Sequence, residues 1–192
     1  MNVLNLNFDD SIPQLEAENR WYTAAQCVTD KWKSCPTNLN YFLCAGTQLW
    51  YTLLILDYYK YDPNPPANLE PASCFKIEKE LVEITRYGFQ NFANNPYFNM
   101  YFGYMISVQP LNFQDIGDFL TLEKQGIEMM KNAYRFAPDD PLIKAIFYTT
   151  EYTKDIFKKS CSELWTHSSA EEKYESAVQS YFCRILDKPG AY

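Results

Sequence analysis

One turn is written twice in this chain. EITRYGFQNFANNP runs from Glu83 to Pro96, and EMMKNAYRFAPDDP runs from Glu128 to Pro141, 45 positions later. Glu83 aligns with Glu128, Ile84 with Met129, Arg86 with Lys131, Gly88 with Ala133 and Phe89 with Tyr134. Asn94-Asn95-Pro96 aligns with Asp139-Asp140-Pro141, and Phe102 with Phe147. The side chain of Asn95 or Asp140 can accept from the free backbone donors of the next helix. The proline behind it takes the first helical position, where a missing N–H costs nothing. The small residue at Gly88 or Ala133 admits a neighbouring helix, and the ring beside it fills the gap. Both copies therefore spell helix, sharp turn, helix.

The rest of the punctuation extends the helical reading to nearly the whole chain. Asn2 to Phe8 alternates and reads as a short strand or an ordered arm. A first helix is expected from about Pro13 to Lys33, ended by Cys35-Pro36. A second, from about Asn38 to Tyr61, is apolar nearly all round and so belongs at the centre. DPNPPANLEP, Asp62 to Pro71, has four prolines in ten residues and is a loop. Ser73 caps a third helix to about Ala93, with Phe75, Val82, Phe89 and Phe92 as its apolar stripe. A fourth runs from Pro96 to Val108, a fifth from Asp115 or Asp118 through Phe136, and a sixth from Pro141 to about Leu164. Ser168 and Glu171 spell a capping box for a seventh helix over 168–186. Its apolar face holds Tyr174, Val178, Tyr181 and Phe182, and Glu171, Glu172 and Glu175 lie opposite. The expectation is an all-α single domain, 1–192, of about seven helices.

NAYRFAPDDP, Asn132 to Pro141, resembles the end of a tetratricopeptide unit, with Ala133 and Pro138 at positions that family favours. The likeness covers about 73–164. The offset of 45 exceeds the family's period of about 34, and Ala93 stands where the second copy has Pro138. The resemblance implies antiparallel helix pairs in a tetratricopeptide-like bundle. Two copies are too few for a free-standing solenoid, so the outer helices, 168–186 among them, must close the core. The competing reading is an irregular helical bundle that happens to use one turn twice.

Composition bounds the function. The net charge is −7, so a phosphate backbone is repelled and a basic partner attracted; nucleic acid is not an expected ligand. Aromatic residues reach 17%, with sixteen Tyr, a side chain that can bury its ring and keep its hydroxyl wet. The six cysteines form no CxxC pair and His167 is the only histidine, so neither a metal nor another cofactor is expected. MNVLNLNFDD has no basic start and no long apolar stretch, which reads as a cytoplasmic protein with reduced, mostly buried cysteines. No apolar run approaches the ~20 residues of a membrane span. No nucleophile elbow, phosphate loop, dinucleotide fingerprint or HExxH occurs, and His167 reads as a loop residue before a helix cap. Glu78, Glu80 and Glu83 with Lys76, Lys79 and Arg86 read as a solvated face with ion pairs between turns, and no carboxylate stands in a clearly apolar context. The chain is not expected to be an enzyme.

Two surfaces are candidates for binding. On a continuous sixth helix, Tyr148, Glu151, Tyr152 and Asp155 fall opposite the apolar stripe of Ile143, Ile146 and Phe147. In proteins of the tetratricopeptide kind this helix lines the ligand groove; the alternative is that its tyrosines pack under the seventh helix. The second surface is DYYKYD, with Asp57, Tyr58, Tyr61 and Asp62 before the proline-rich loop, or else packed against Pro63 and Pro65. Asp115 with Asp118 is a third cluster, read chiefly as helix caps. Small, acidic, Tyr-rich chains without catalytic motifs resemble, in kind, the immunity proteins of bacterial contact-dependent inhibition systems. That resemblance implies a cognate basic toxin, such as a nuclease, as partner. A tetratricopeptide-like adaptor or chaperone holding a peptide segment is the alternative, and a helical hydrolase using carboxylates the third class.

Overall fold

Asn95 and Asp140 fold as the repeat demands. In the computed structural model, which describes residues 4, 6–150, 154–166 and 176–186, Asn95 Oδ1 accepts from the N–H groups of Tyr97 (2.9 Å) and Phe98 (3.1 Å). Asp140 Oδ1 accepts from Leu142 (2.9 Å) and Ile143 (3.1 Å). The preceding residues close the same turn, Asn95 N–H to Phe92 O and Asp140 N–H to Ala137 O. A third copy escaped the sequence comparison: Asn38 N–H donates to Cys35 O, and Asn38 Oδ1 accepts from Tyr41 N–H at 3.1 Å.

These turns join six of the nine α-helices among the described residues: α1 (Ser11–Ala17), α2 (Trp21–Ser34), α3 (Leu39–Lys60), α4 (Cys74–Asn91), α5 (Pro96–Val108), α6 (Phe119–Phe136), α7 (Pro141–Thr150), α8 (Lys154–Thr166) and α9 (Ala177–Ile185). A 3₁₀ helix, Pro110–Phe113, lies between α5 and α6. No strand occurs among the described residues.

The expected count of seven is corrected at both ends. The first helix divides at Asn19, whose φ of 57° is left-handed. Arg20 N–H reaches back to Leu15 O and Asn19 N–H to Glu16 O, the paired bonds that close a helix at a left-handed residue. The sixth helix also divides. Lys144 Nζ meets Glu163 Oε2 at 3.3 Å, whereas 19 residues of straight helix would separate them by roughly 28 Å. So α7 and α8 lie side by side. The Ser168–Glu171 capping box falls outside the described residues. Ser176 has extended backbone, and with Gln179 it forms the capping box that opens α9.

α3 is central, as its composition predicts. Thirteen of its residues are buried, under α2, α4, α5 and α9. By length and composition it could cross a membrane, with mean hydropathy 1.2, yet 67% of that window is buried within the protein. The Phe102 ring of α5 presses on Gly46, and Phe98 and Phe42 press on Gly88, which confirms the need for a small residue there. Leu4 and the residues from Leu6 to Asp10 form an arm: Leu4 and Leu6 are fully buried, Tyr101 Oη donates to Leu4 O, and Gln179 Nε2 to Leu6 O at 2.7 Å. The proline-rich loop is tied down by Glu70, whose carboxylate accepts from Thr23 N–H (2.9 Å) and Thr23 Oγ1 (2.6 Å). It thereby caps α2, whose own N-cap residue Arg20 makes no side-chain cap.

The most extensive helix contact is between α5 and α6, where Gly103 faces Gly126. A Cβ on Gly126 would lie 2.6 Å from Gly103 O and 2.6 Å from Ser107 N, both backbone atoms that cannot swing aside. Gly126→Ala should therefore cost about 2–3 kcal/mol in urea unfolding. Gly117→Ala, whose Cβ would meet only Leu122 at 3.5 Å, should stay within about 0.5 kcal/mol of the parent.

Candidate functional site

The end of α3 turns two rings outward. Leu53 and Leu56 face the core, and Tyr58 and Tyr61 stand 64% and 78% exposed. Pro63 stops the helix, and Asp62 Oδ1 accepts from Asn64 N–H at 2.8 Å, which spends part of that carboxylate on the turn. Asp57 is exposed and Asp62 half-buried. Lys60 Nζ lies 5.2 Å from the centre of the Tyr61 ring. The tyrosines face solvent rather than packing into the loop.

The other expected face is not one helical face. Tyr148, on α7, is half-buried and its ring lies 6.0 Å from Tyr134 and 5.2 Å from Phe147. Asp155 is exposed in the first turn of α8. Glu151 and Tyr152 lie outside the described residues, as does His167. The constellation assumed a continuous helix, whereas α7 and α8 lie side by side.

A groove that sequence reasoning missed follows the outer flank of α4. Ile77, Leu81, Ile84 and Gly88 turn inward. Phe75 sits roughly 160° round the helix from Ile77 and is 74% exposed, which corrects its assignment to the core stripe. Two adjoining hollows, about 280 and 500 Å³, share Phe75, Lys79, Val82 and Asp115 in their walls. The first is closed by Leu111 and Asp57, the second by Glu83 and Arg86. The expected ion pairs along α4 give way to other partners. Arg86 donates to Asp115 O at 2.6 Å, Glu80 accepts from Gln26 at 2.7 Å, and Lys76 lies over the Tyr22 ring. Asp118 is a helix cap, accepting from Thr121 N–H, while Asp115 belongs to the groove.

A buried carboxylate also escaped the sequence reading. Glu16 is 5% exposed, four residues after the fully buried Ile12 and hence on the same helical face. That spacing was the available signal. Its oxygens accept from Gln48 Nε2 (3.0 Å) and Ala177 N–H (2.7 Å), joining α1, α3 and α9. It borders a hollow of about 480 Å³ that also meets Trp21, Tyr51 and Arg184. Burial pushes its pKa up, partly offset by the two hydrogen bonds.

Cys44, Cys161 and Cys183 are buried, Cys74 is half-buried, and Cys27 and Cys35 are exposed. Burial pushes the Cys44 thiol up to about 12, so it is no nucleophile at neutral pH. Among the described residues no group of three or more His, Cys, Asp or Glu is placed to hold a metal ion. Comparison with protein-family models, with curated proteins and with solved structures finds no match.

The raised Glu16 pKa has a definite sign. Protonation is easier in the folded state, so its stabilising contribution is complete below the ordinary value of 4.5 and is lost as pH rises through the raised one. Gln48 Oε1 is buried without a partner, so a Gln at position 16 can donate to it after the Gln48 amide turns over, and still accept from Ala177. Glu16→Gln should stabilise the protein by about 1 kcal/mol at pH 7.5. The gain should shrink towards zero near pH 4.5, as read by urea unfolding at the two pH values.

Proposed function

We propose that this chain is a non-catalytic, cytoplasmic protein-binding protein that covers and neutralises a basic toxin, in the manner of the immunity proteins of contact-dependent inhibition systems. The observation that carries this reading is the pair Tyr58 and Tyr61, 64% and 78% exposed beside Asp57 and Asp62, on a chain of net charge −7. Exposed tyrosines supply contact area at little rotameric cost. The surplus negative charge steers a basic partner towards them and disfavours nucleic acid. If the toxin is a nuclease, the same acidic cover would occupy the surface its substrate needs. Asp155 and Tyr148 belong to the same proposal, as an acidic and aromatic contribution from α7 and α8.

The tetratricopeptide-like adaptor remains the second reading, with antiparallel pairs holding a peptide segment. It is favoured by the recurrence of one four-residue turn, ending in Asn38, Asn95 and Asp140, between α2 and α3, α4 and α5, and α6 and α7.

The test is binding to the toxin domain encoded beside this protein's gene, by calorimetry and by stopped-flow at several salt concentrations. A tight complex whose association slows as salt rises is expected. The double variant Tyr58→Ala/Tyr61→Ala should weaken it about tenfold or more without shifting the thermal midpoint, since neither ring is in the core. Absence of any complex sinks the toxin reading, and equal affinity for a short peptide cut from the partner favours the adaptor.

A further inference from the structure

The groove along α4 is chemically two-sided. Its floor is the buried Val82, and its upper rim carries two apolar side chains that the fold leaves in water, Phe75 at 74% and Leu111 at 59% exposure. Phe75 is on α4 and Leu111 in the 3₁₀ helix, so two separate elements hold apolar groups over one hollow. Leaving such apolar groups in water is unfavourable, and a partner that covers them gains by it. Around them stand the carboxylates Asp57, Glu78, Asp115 and Glu83, against only Lys79 and Arg86. Arg86 donates to the Asp115 carbonyl, which orients its guanidinium and leaves its charge in place, so the carboxylates in the walls outnumber the cations by two. From Phe75 to Gln90 the wall follows α4 for about 22 Å, at 1.5 Å per residue, long enough for four turns of a second helix.

We infer that this groove takes a cationic amphipathic helix of a protein partner, its apolar face on Phe75, Val82 and Leu111 and its Lys or Arg side chains on Asp57, Glu78 and Asp115. Charge complementarity selects the cations, and the exposed apolar rim selects the apolar anchors. An acidic or purely polar segment satisfies neither. The inference rests on the proposal of a basic protein partner and adds to it a docking mode and an address. Asp57 links the two surfaces, because it borders the groove and immediately precedes Tyr58.

The experiment uses the intact chain and a fluorescein-labelled peptide of about fourteen residues, with Leu and Lys at helical spacing, roughly 21 Å long as a helix. Two controls replace its leucines by serine or its lysines by glutamate. Amide chemical shifts of the isotopically labelled protein locate the contact, and fluorescence anisotropy gives the affinity. Binding is expected to move the amides of Phe75, Lys79, Val82 and Leu111. It should weaken about tenfold in Phe75→Ala and again in Asp57→Lys/Glu78→Lys, at exposed or half-buried positions where unchanged thermal melting certifies the fold. Both control peptides should fail to bind. The inference is overturned if the serine peptide binds as well as the leucine peptide, if the shifts map elsewhere, or if Phe75→Ala leaves the affinity intact. A concentration-dependent dimer abolished by Phe75→Ala would overturn it in favour of a second copy of this chain. A toxin complex at full strength with the groove variants overturns the groove and leaves the proposed function standing. A groove-localised peptide without any toxin complex supports the groove and removes that function.

Discussion

A helix with apolar side chains on every side has no face it can turn to water, and α3 is such a helix from Phe42 to Leu53, where every residue is buried. Leu43, Cys44, Ala45 and Leu49 lie at roughly 0°, 100°, 200° and 240° round the helix, and all are buried. The chain must therefore supply cover from several sides. The amphipathic α2 and α4 provide two sides, each with its own polar flank outward, while the nearly all-buried α5 presses Phe102 onto Gly46. α9 and the N-terminal arm complete the enclosure around Trp50 and Tyr101, through Phe182, Leu4 and Leu6. The aromatic excess finds its use here. Phe42, Phe92, Phe98 and Phe102 meet at centroid distances of 4.8–5.8 Å, filling the space between helices that cannot interlock by small residues alone.

The periphery is fastened by polar groups as well as by core contacts. Glu70 reaches from the proline-rich loop to the start of α2, Asn68 donates to Glu18 O, and Asn19 donates to Asn68. Gln179 and Tyr101 hold the arm by its carbonyls, and Glu16 holds α9 by its first N–H. Each bond joins residues far apart in the chain. Together they fix segments that are short or rich in proline.

The candidate surfaces show why site prediction from sequence is harder than fold prediction. Tyr58 and Tyr61 could be proposed because a helix ending at proline has to point something outward near its last turn. Whether the rings would fold back onto Pro63 was a matter of tertiary packing. Phe75 shows the opposite failure. At seven-residue spacing from Val82 it completes an apolar stripe, but the fold covers Val82 and leaves Phe75 bare. Tyr148, Glu151, Tyr152 and Asp155 depended on an unbroken helix, an assumption undone by the contact of Lys144 with Glu163. Glu16 was passed over because its neighbours in sequence, Leu15 and Ala17, say little about the face it shares with Ile12.

Local rules were enough for the helices themselves. Proline after Asn or Asp, serine or asparagine caps and 3.6-residue periodicity act within a few positions, so α3, α4, α5 and α6 begin and end within a few residues of where the sequence places them. The same rules made α3 central and Gly88 a contact point. The tertiary structure decided what depends on distant partners: the third copy of the turn, hidden because 57 rather than 45 positions separate Asn38 from Asn95, the division of α7 from α8, the burial of Glu16 and the groove beside α4. The physical reason is range. A cap or a proline acts on its own turn, whereas exposure and burial are set by whichever element arrives from elsewhere in the chain.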